Sequence, residues 1–340
     1  MSNNSNRFDI DVVVLWVDGN DPAWQAEKAK YQETKTTDAN AVNRFRDWGL
    51  MKYWFRAIET FAPWVRTIHF VTWGHVPDFL KLDHPKLHLV RHEDYLPKDC
   101  LPTFNACAIE MSIHKIDGLS EKFIFFNDDM FLLRPIEQEA FFKNGLPVAD
   151  GGETVNPPYG KLLVWNALYY NDLGIINRHF EKRKTVKQHR KKFINRAYDI
   201  KSNIRTLLHE HLNKTRFVGF SFPHSPAGYC KTSFVKVWEA EPELLRETTA
   251  HKFRFYTDVN QWLVLWWQIA SGQFTPGKVD NVRCSAEAWA IDSICETIRS
   301  QSHDMICIND PDDPTDFETL SKRIQDAFET ILPEKSSYEK

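Results

Sequence analysis

Residues 9–22 read DIDVVVLWVDGNDP. From Ile10 to Val17 the run is almost continuously apolar and rich in β-branched residues, which suits a strand buried on both faces of a parallel sheet. It ends in DGNDP, where Gly19 and Pro22 signal a loop. Working outward, a polar, helix-compatible segment follows from Ala23 to Thr34. Residues 48–61 (WGLMKYWFRAIETF) place apolar side chains at helical spacing and stop at Pro63. Residues 66–73 and 86–91 predict two further strands, 104–116 a helix, and 122–126 another strand. Strand and helix alternate, which predicts an α/β fold with a mostly parallel sheet flanked by helices. In such sheets ligands bind beyond the carboxyl ends of the strands. Two acidic loops fall at those ends, Asp18–Asp21 and Asn127–Asp129.

The second loop lies within KFIFFNDDMFLLRP (122–135), where apolar residues flank Asn127, Asp128 and Asp129 on both sides. Desolvating adjacent carboxylates is unfavourable by several kcal/mol or more unless something compensates. Two explanations stand. One is a turn in which Asn127 and Asp128 cap backbone N–H groups. The other is a bound hard cation, Mg²⁺ or Mn²⁺, which prefers oxygen ligands from one or two carboxylates, water and substrate phosphate.

Composition bounds the rest. The 340 residues are 42% hydrophobic and 26% charged, with 12 Trp and 24 Phe, enough for a substantial core. A net charge of −3 gives no global sign of a nucleic-acid partner. The N-terminal residues MSNNSNRFDID lack a secretory-signal pattern, and the longest apolar run, WLVLWWQIA (262–270), is too short to span a bilayer and reads as a buried helix. Six cysteines show no C-x-x-C spacing, which points to thiols in a reducing cytosol rather than a structural zinc site. After Pro158 the chain reads as almost wholly helical to residue 215. Within it, RHFEKRKTVKQHRKKFINR (178–196) carries nine Lys or Arg against one Glu. That stretch is either a solvated helix face or a patch drawing anionic lipid headgroups or a phosphate-rich polymer. Residues 315–332 predict an amphipathic helix packed on the body. The predicted divisions are 1–158 for an α/β portion that holds both acidic loops, 159–220 for a basic helical insertion, 221–314 for a second part of the core, and 315–340 for a C-terminal helix and tail.

Other chemistry-bearing residues are individually weak signals. Arg44 and Arg46 in NRFRD would clamp phosphate oxygens, or pair with Asp47 on the surface. Glu110 and His114 stand at i and i+4 of one helix, as a surface pair or as a site carboxylate and imidazole. His224, between prolines in SFPHSPAGYCK, titrates where a general base must, although a lone His often has a structural role.

Taken in order, these stretches resemble the conserved blocks of the Stealth family of sugar-phosphate transferases. The first is IDVVVLWVDGNDPAW (10–24). The second runs from RFRDWGLMKYWFRAIETFAPWVRTIHFVTWGHVPDFL (44–80) to LPTFNACAIEMSIHKIDGLSEKFIFFNDDMFL (101–132). FPHSPAGYCKTSFVKVW (222–238) through HKFRFYTDVNQW (251–262) is similar to the third, and ICIND (306–310) to the fourth. Trp48 and Gly49 replace the family's usual Asn-Glu pair, and Leu15 a common Tyr or Thr. The resemblance implies a Rossmann-like, GT-A-like fold and transfer of a sugar 1-phosphate from a UDP-sugar to a hydroxyl of a glycan or lipid-linked glycan, releasing UMP. It implies a cation on Asp129, with Asp128, Asn127 or Asn309. Arg254, Arg44 and Arg46 would hold phosphoryl oxygens. His224 would act as base, with Glu110 the alternative and Asp258 beside them. Trp16, Asp18, Gly19, Asn20 and Asp21 would contact the nucleotide, with Asn105 and His114 also on substrate. A bacterial enzyme of capsule or exopolysaccharide synthesis, cytoplasmic or peripheral at the inner membrane face, follows. A metal-dependent glycosyltransferase releasing UDP is the nearest rival.

Overall fold

The computed structural model describes residues 8–32, 45–157, 163–221, 224–311 and 316–340. In chain order its elements are β1 (Ile10–Leu15), α1 (Pro22–Tyr31), α2 (Met51–Phe61), β2 (Ile68–Thr72), β3 (Leu87–Arg91), α3 (His92–Tyr95), α4 (Ala106–Ser112), β4 (Lys122–Asn127), β5 (Met130–Leu132), β6 (Phe142–Lys143) and β7 (Leu146–Ala149). There follow α5 (Val164–His179), α6 (Lys182–Phe193), α7 (Ile200–Leu212), β8 (Ala227–Cys230), α8 (Lys231–Ala240), α9 (Pro242–Ala250), α10 (Gln261–Ala270), β9 (Thr275–Pro276), β10 (Asn281–Ser285), α11 (Ile291–Ser300), β11 (Met305–Asn309) and α12 (Phe317–Ile331).

The main sheet has the order β3-β2-β1-β4-β8. Its first four strands are parallel, and β8 runs antiparallel on the edge beside β4. The alternation of β1 and β4 shows why their sequences are apolar throughout. Ile10, Val12, Val14, Ile124 and Phe126 face one core with α2, α11 and α12, whereas Val13, Phe123 and Phe125 face another with α8 and α10. Full burial of each such side chain contributes about 1.5–3 kcal/mol. The 262–270 run is indeed the buried helix α10. Its polar Gln268 completes the sheet edge, accepting from Cys230 N (2.9 Å) and donating to Gly228 O (3.3 Å).

A second sheet, β10-β11-β5, was not legible in the sequence. The two-residue turn Asp128–Asp129 joins β4 of the first sheet to β5 of the second, which is why apolar residues resume at once. β5 pairs antiparallel with β11, and Ile308 N donates to Asp129 O (2.9 Å).

At the opposite end of β1, Asp11 is fully buried. It accepts from Arg66 Nε (2.7 Å) and Nη2 (2.5 Å) and from Ser120 N (2.7 Å), and lies 3.1 Å from His69 Nε2. Burial works against its charge, but these partners outweigh it and hold the carboxyl at about 2. A depressed folded-state pKa stabilises above the unfolded value and is lost as pH falls through the folded one. Asp11→Asn is therefore expected to lower stability by about 2 kcal/mol at neutral pH, with the difference disappearing in strong acid. Denaturant melts across that acid range check it.

Candidate functional site

A cavity of about 410 Å³ opens at the carboxyl ends of β1 and β4, where a doubly wound sheet binds its ligand. Its wall takes Trp16 from beyond β1, Arg46–Trp48 from the segment before α2, Asn127–Asp129 from the end of β4 and its turn, His224, Arg254, and Ile308–Asp310 from the end of β11 and just beyond.

Asp129 is the centre of this geometry. Its Oδ2 lies 3.1 Å from His224 Nε2 and accepts from the Cys307 thiol (3.4 Å), while its buried Oδ1 has no hydrogen-bond partner among the described residues. Asn309 Nδ2 in turn donates to Cys307 Sγ (3.4 Å). The adjacent carboxylates are driven apart electrostatically. Burial, then repulsion from Asp129, Asp47 and Asp310, pushes Asp128 well above the usual carboxylate range. Asp129 is half-buried, yet the charge and hydrogen bond of His224 hold it below that range. Asp47 is also raised, by burial and by Asp18.

The donor set fits a divalent cation. Donor atoms of Asp129, His224 and Cys307 lie within 4.8 Å of one another. Burial pushes the Cys307 thiol far up, so it remains a protonated hydrogen-bond donor rather than a thiolate ligand. Asp129 Oδ1 and the raised Asp128 are the oxygens that a hard cation would satisfy.

Arg46 Nη1 pairs with Asp310 Oδ1 at 2.8 Å, not with Asp47, whose carboxylate accepts from Gly49 N. Arg254 reaches the cavity and has no ion pair among the described residues. Behind it lies Glu110 of α4, 4% exposed. Burial pushes Glu110 up to about 7, against the opposing pull of Arg254. Such a carboxyl keeps its proton in the folded state after the unfolded chain has lost it, so stability falls as pH rises towards about 7. Glu110→Gln is expected to remove this fall and to be more stable than the parent above about pH 7 by up to roughly 3 kcal/mol. Thermal melts of both proteins on either side of that pH check it.

Asn105 and Asp258 lie beneath the surface of the site. Asn105 caps α4 by accepting from Cys107 N (3.0 Å) and donates to Asp258 Oδ2 (2.8 Å). Asp258 also accepts from Phe255 N (2.8 Å) and pairs with His251 Nδ1 (2.6 Å). Together they pin the loop that carries Arg254. His114 is elsewhere, against Phe234 and Trp238, because α4 ends at Ser112 and a 3₁₀ turn replaces the helical i,i+4 spacing with Glu110. Asp18–Asp21 form a turn beside the cavity instead of its wall. Asp18 accepts from Asn20 N (2.8 Å), and Asp21 caps α1 through Trp24 N (2.7 Å). A Cβ on Gly19 would meet Phe45 O at 1.9 Å, so glycine permits this turn to back the segment that carries Arg46. Arg44 lies outside the described residues. Asp47, Cys307 and Asp310 were not singled out from the sequence as site residues. Their signal was present only as membership of the NRFRD and ICIND stretches.

Parallel-rich sheet, strand order and an acidic turn at the carboxyl edge define a Rossmann-like α/β protein of the GT-A type. The chain belongs to the Stealth family. Its conserved region 1 matches residues 8–36, conserved region 2 residues 44–148, and conserved region 4 residues 296–340. Relatives span its whole length. A capsular polysaccharide phosphotransferase, WcwK, of Streptococcus pneumoniae is 39% identical over 339 residues, covering 98% of this chain and 99% of the relative. The exopolysaccharide phosphotransferase cps2G of Lactiplantibacillus plantarum is 37% identical, covering 99% and 98%. The receptor polysaccharide phosphotransferase WefC of Streptococcus oralis is 37% identical, covering 97% and 99%.

Proposed function

We propose that this chain transfers a sugar 1-phosphate from a UDP-sugar to a hydroxyl of a glycan acceptor and releases UMP, in bacterial capsule or cell-surface polysaccharide synthesis. The supporting observation is Asp129, a cavity-lining residue whose carboxylate faces His224 on one oxygen and leaves the other buried without a partner among the described residues, in a chain whose full-length relatives carry polysaccharide phosphotransferase names. In the step, the acceptor oxygen bonds to the phosphorus that carries the sugar, and the phosphoanhydride bond to UMP breaks. The acceptor proton passes to His224 Nδ1, the ring nitrogen left free because Nε2 faces Asp129, which orients the ring. Arg254 and Arg46 hold phosphoryl oxygens, with Arg46 fixed in place by Asp310. The Trp16 wall and the neighbouring turn at Asp18–Asp21 receive the nucleoside. Asp129, with Asp128 or Asn309, would hold Mg²⁺ or Mn²⁺, which would supply charge neutralisation for the pyrophosphate and the departing UMP. In this proposal residues 1–158 and 221–314 share the catalytic work around the 159–220 insertion. No helix among the described residues is long and apolar enough to cross a membrane. A cytoplasmic enzyme meeting the inner membrane through its basic helix accounts for the charge of 178–196.

The test is a screen of UDP-sugars with Mg²⁺ and glycan acceptors, reading nucleotide product and linkage. UMP and a phosphodiester are expected. UDP with no UMP would instead identify attack at the anomeric carbon and overturn the proposal.

A further inference from the structure

Helix α7 is amphipathic in the wrong sense for a helix packed on a protein body. Its inward residues are polar. Ser202 and Thr206 are each 1% exposed, and Thr206 Oγ1 accepts from Glu153 N (2.9 Å). Its outward residues are apolar. Ile200, Ile204, Leu208 and Leu212 form an unbroken i,i+4 row, joined by Leu207, with exposures of 77, 53, 56, 78 and 41%. At i,i+4 spacing these side chains share one face, opposite the buried one. Leaving five large apolar groups in water forgoes their transfer free energy, and contiguous exposed patches of this kind mark interaction surfaces.

The neighbour of that row says what covers it. Helix α6 is held alongside α7 by Lys182 Nζ donating to His209 O (2.9 Å) and by the Arg190–Glu210 pair (3.3 Å). Some of its cations are committed to the fold: Lys182 pairs with buried Glu153 (2.7 Å), and Lys192 donates to Gly272 O and Phe274 O. The rest, Arg183, Lys184, Lys187 and Lys191, are exposed and have no ion pair among the described residues. An apolar ridge flanked by unpaired cations is the chemistry of a helix lying in the interface of an anionic bilayer. A protein groove would have to bring its own acidic rim to the same place. A soluble polyanion would satisfy the cations and leave the ridge wet.

We propose that α6 and α7 form a lipid-binding face, in which the α7 row enters the headgroup boundary of an anionic bilayer and the α6 cations engage lipid phosphates. The proposal rests on the membrane-surface part of the function proposed above and deepens it, because insertion by α7 is required in addition to attraction by α6. It is independent of the transfer chemistry.

The experiment is co-sedimentation of the full chain with vesicles of phosphatidylcholine, alone or mixed with phosphatidylglycerol, at low and high salt. The chain is expected to partition onto the mixed vesicles, and roughly tenfold less onto the neutral ones. Ile204→Asp with Leu208→Asp should cut partitioning onto the mixed vesicles by about tenfold or more. Lys184→Glu with Lys187→Glu should remove the preference for phosphatidylglycerol. Circular dichroism reports whether each variant folds, and both pairs sit on the solvent side of their helices. Partitioning unchanged by the α7 pair would overturn insertion and leave simple electrostatic adsorption. No partitioning by the parent chain, with light scattering showing a dimer that the α7 pair converts to monomer, would assign the row to a second copy and overturn the proposal. UMP release onto a soluble acceptor, measured on the same variants, separates this result from the fate of the transfer proposal.

Discussion

Asp129→Asn is expected to reduce turnover by about 10²–10³-fold while the chain stays folded. Asp129 sits beside Asp128 in a wall that also holds Asp47 and Asp310, and burial together with that repulsion forces Asp128 far above its ordinary range. Removing one negative charge relieves this repulsion but also gives up the favourable contact of the Asp129 carboxylate with His224, and the two changes oppose each other in the folded state. The same change leaves no anionic oxygen on the carboxyl group that faces His224, so the proposed cation and base would lose their common anchor. An amide also preserves side-chain size, so loss of packing does not explain a drop in rate. Nucleotide release measured against Mg²⁺ concentration, beside a melting curve, checks both halves. A variant that keeps turnover within a few-fold of the parent would remove Asp129 from the centre of the site.

The second large effect is on stability. Trp54→Ala is expected to destabilise the chain by about 3–5 kcal/mol. Trp54 is 1% exposed on α2, with its ring edge-on to Phe55 (5.2 Å) and Phe126 (5.5 Å). Phe126 is the penultimate residue of β4, so the void opens directly behind the acidic turn. Activity is therefore expected to fall at temperatures where the chain is still folded. Trp54→Phe should be far milder. It keeps most of the ring contact, and the indole Nε1 it removes is buried without a partner among the described residues. Denaturant titration of the two variants discriminates, since equal losses would show that ring volume is not what Trp54 contributes.

The sequence revealed the part of the fold that depends on local pattern. The continuous apolar runs of β1 and β4, the helical spacing of α2 and the apolar α10 each follow from burial on a definite number of faces, and all lie where periodicity places them. Partnership between distant segments was not legible. Nothing in FFNDDMF announces that MFL pairs with residues near 306, so the second sheet and the approach of Cys307 to Asp129 were hidden. His114 shows the converse. Its spacing from Glu110 held only as long as the helix did, and the 3₁₀ turn at Ile113–Lys115 sends the ring to Phe234. Asp21 and Asn105 were legible as polar residues at critical places, but helix caps and substrate ligands draw on the same residue types. The outward-facing row of α7 was invisible for a related reason, because periodicity shows that a helix has an apolar face and not which way it points.

The seam between the two sheets also bears on how the chain acquires its site. The Asp129–His224 contact joins residues 95 apart in sequence, Asp129–Cys307 spans 178, and Arg46–Asp310 spans 264. Contacts of such separation form late, because long loops must close before they are rewarded. While the ribosome is still extending the chain, β1–β4 can collapse with the acidic turn unneutralised and no binding cavity behind it. At the proposed site, catalytic competence would thus arrive only when β11 has docked, which would make turnover a sensitive reporter of complete folding.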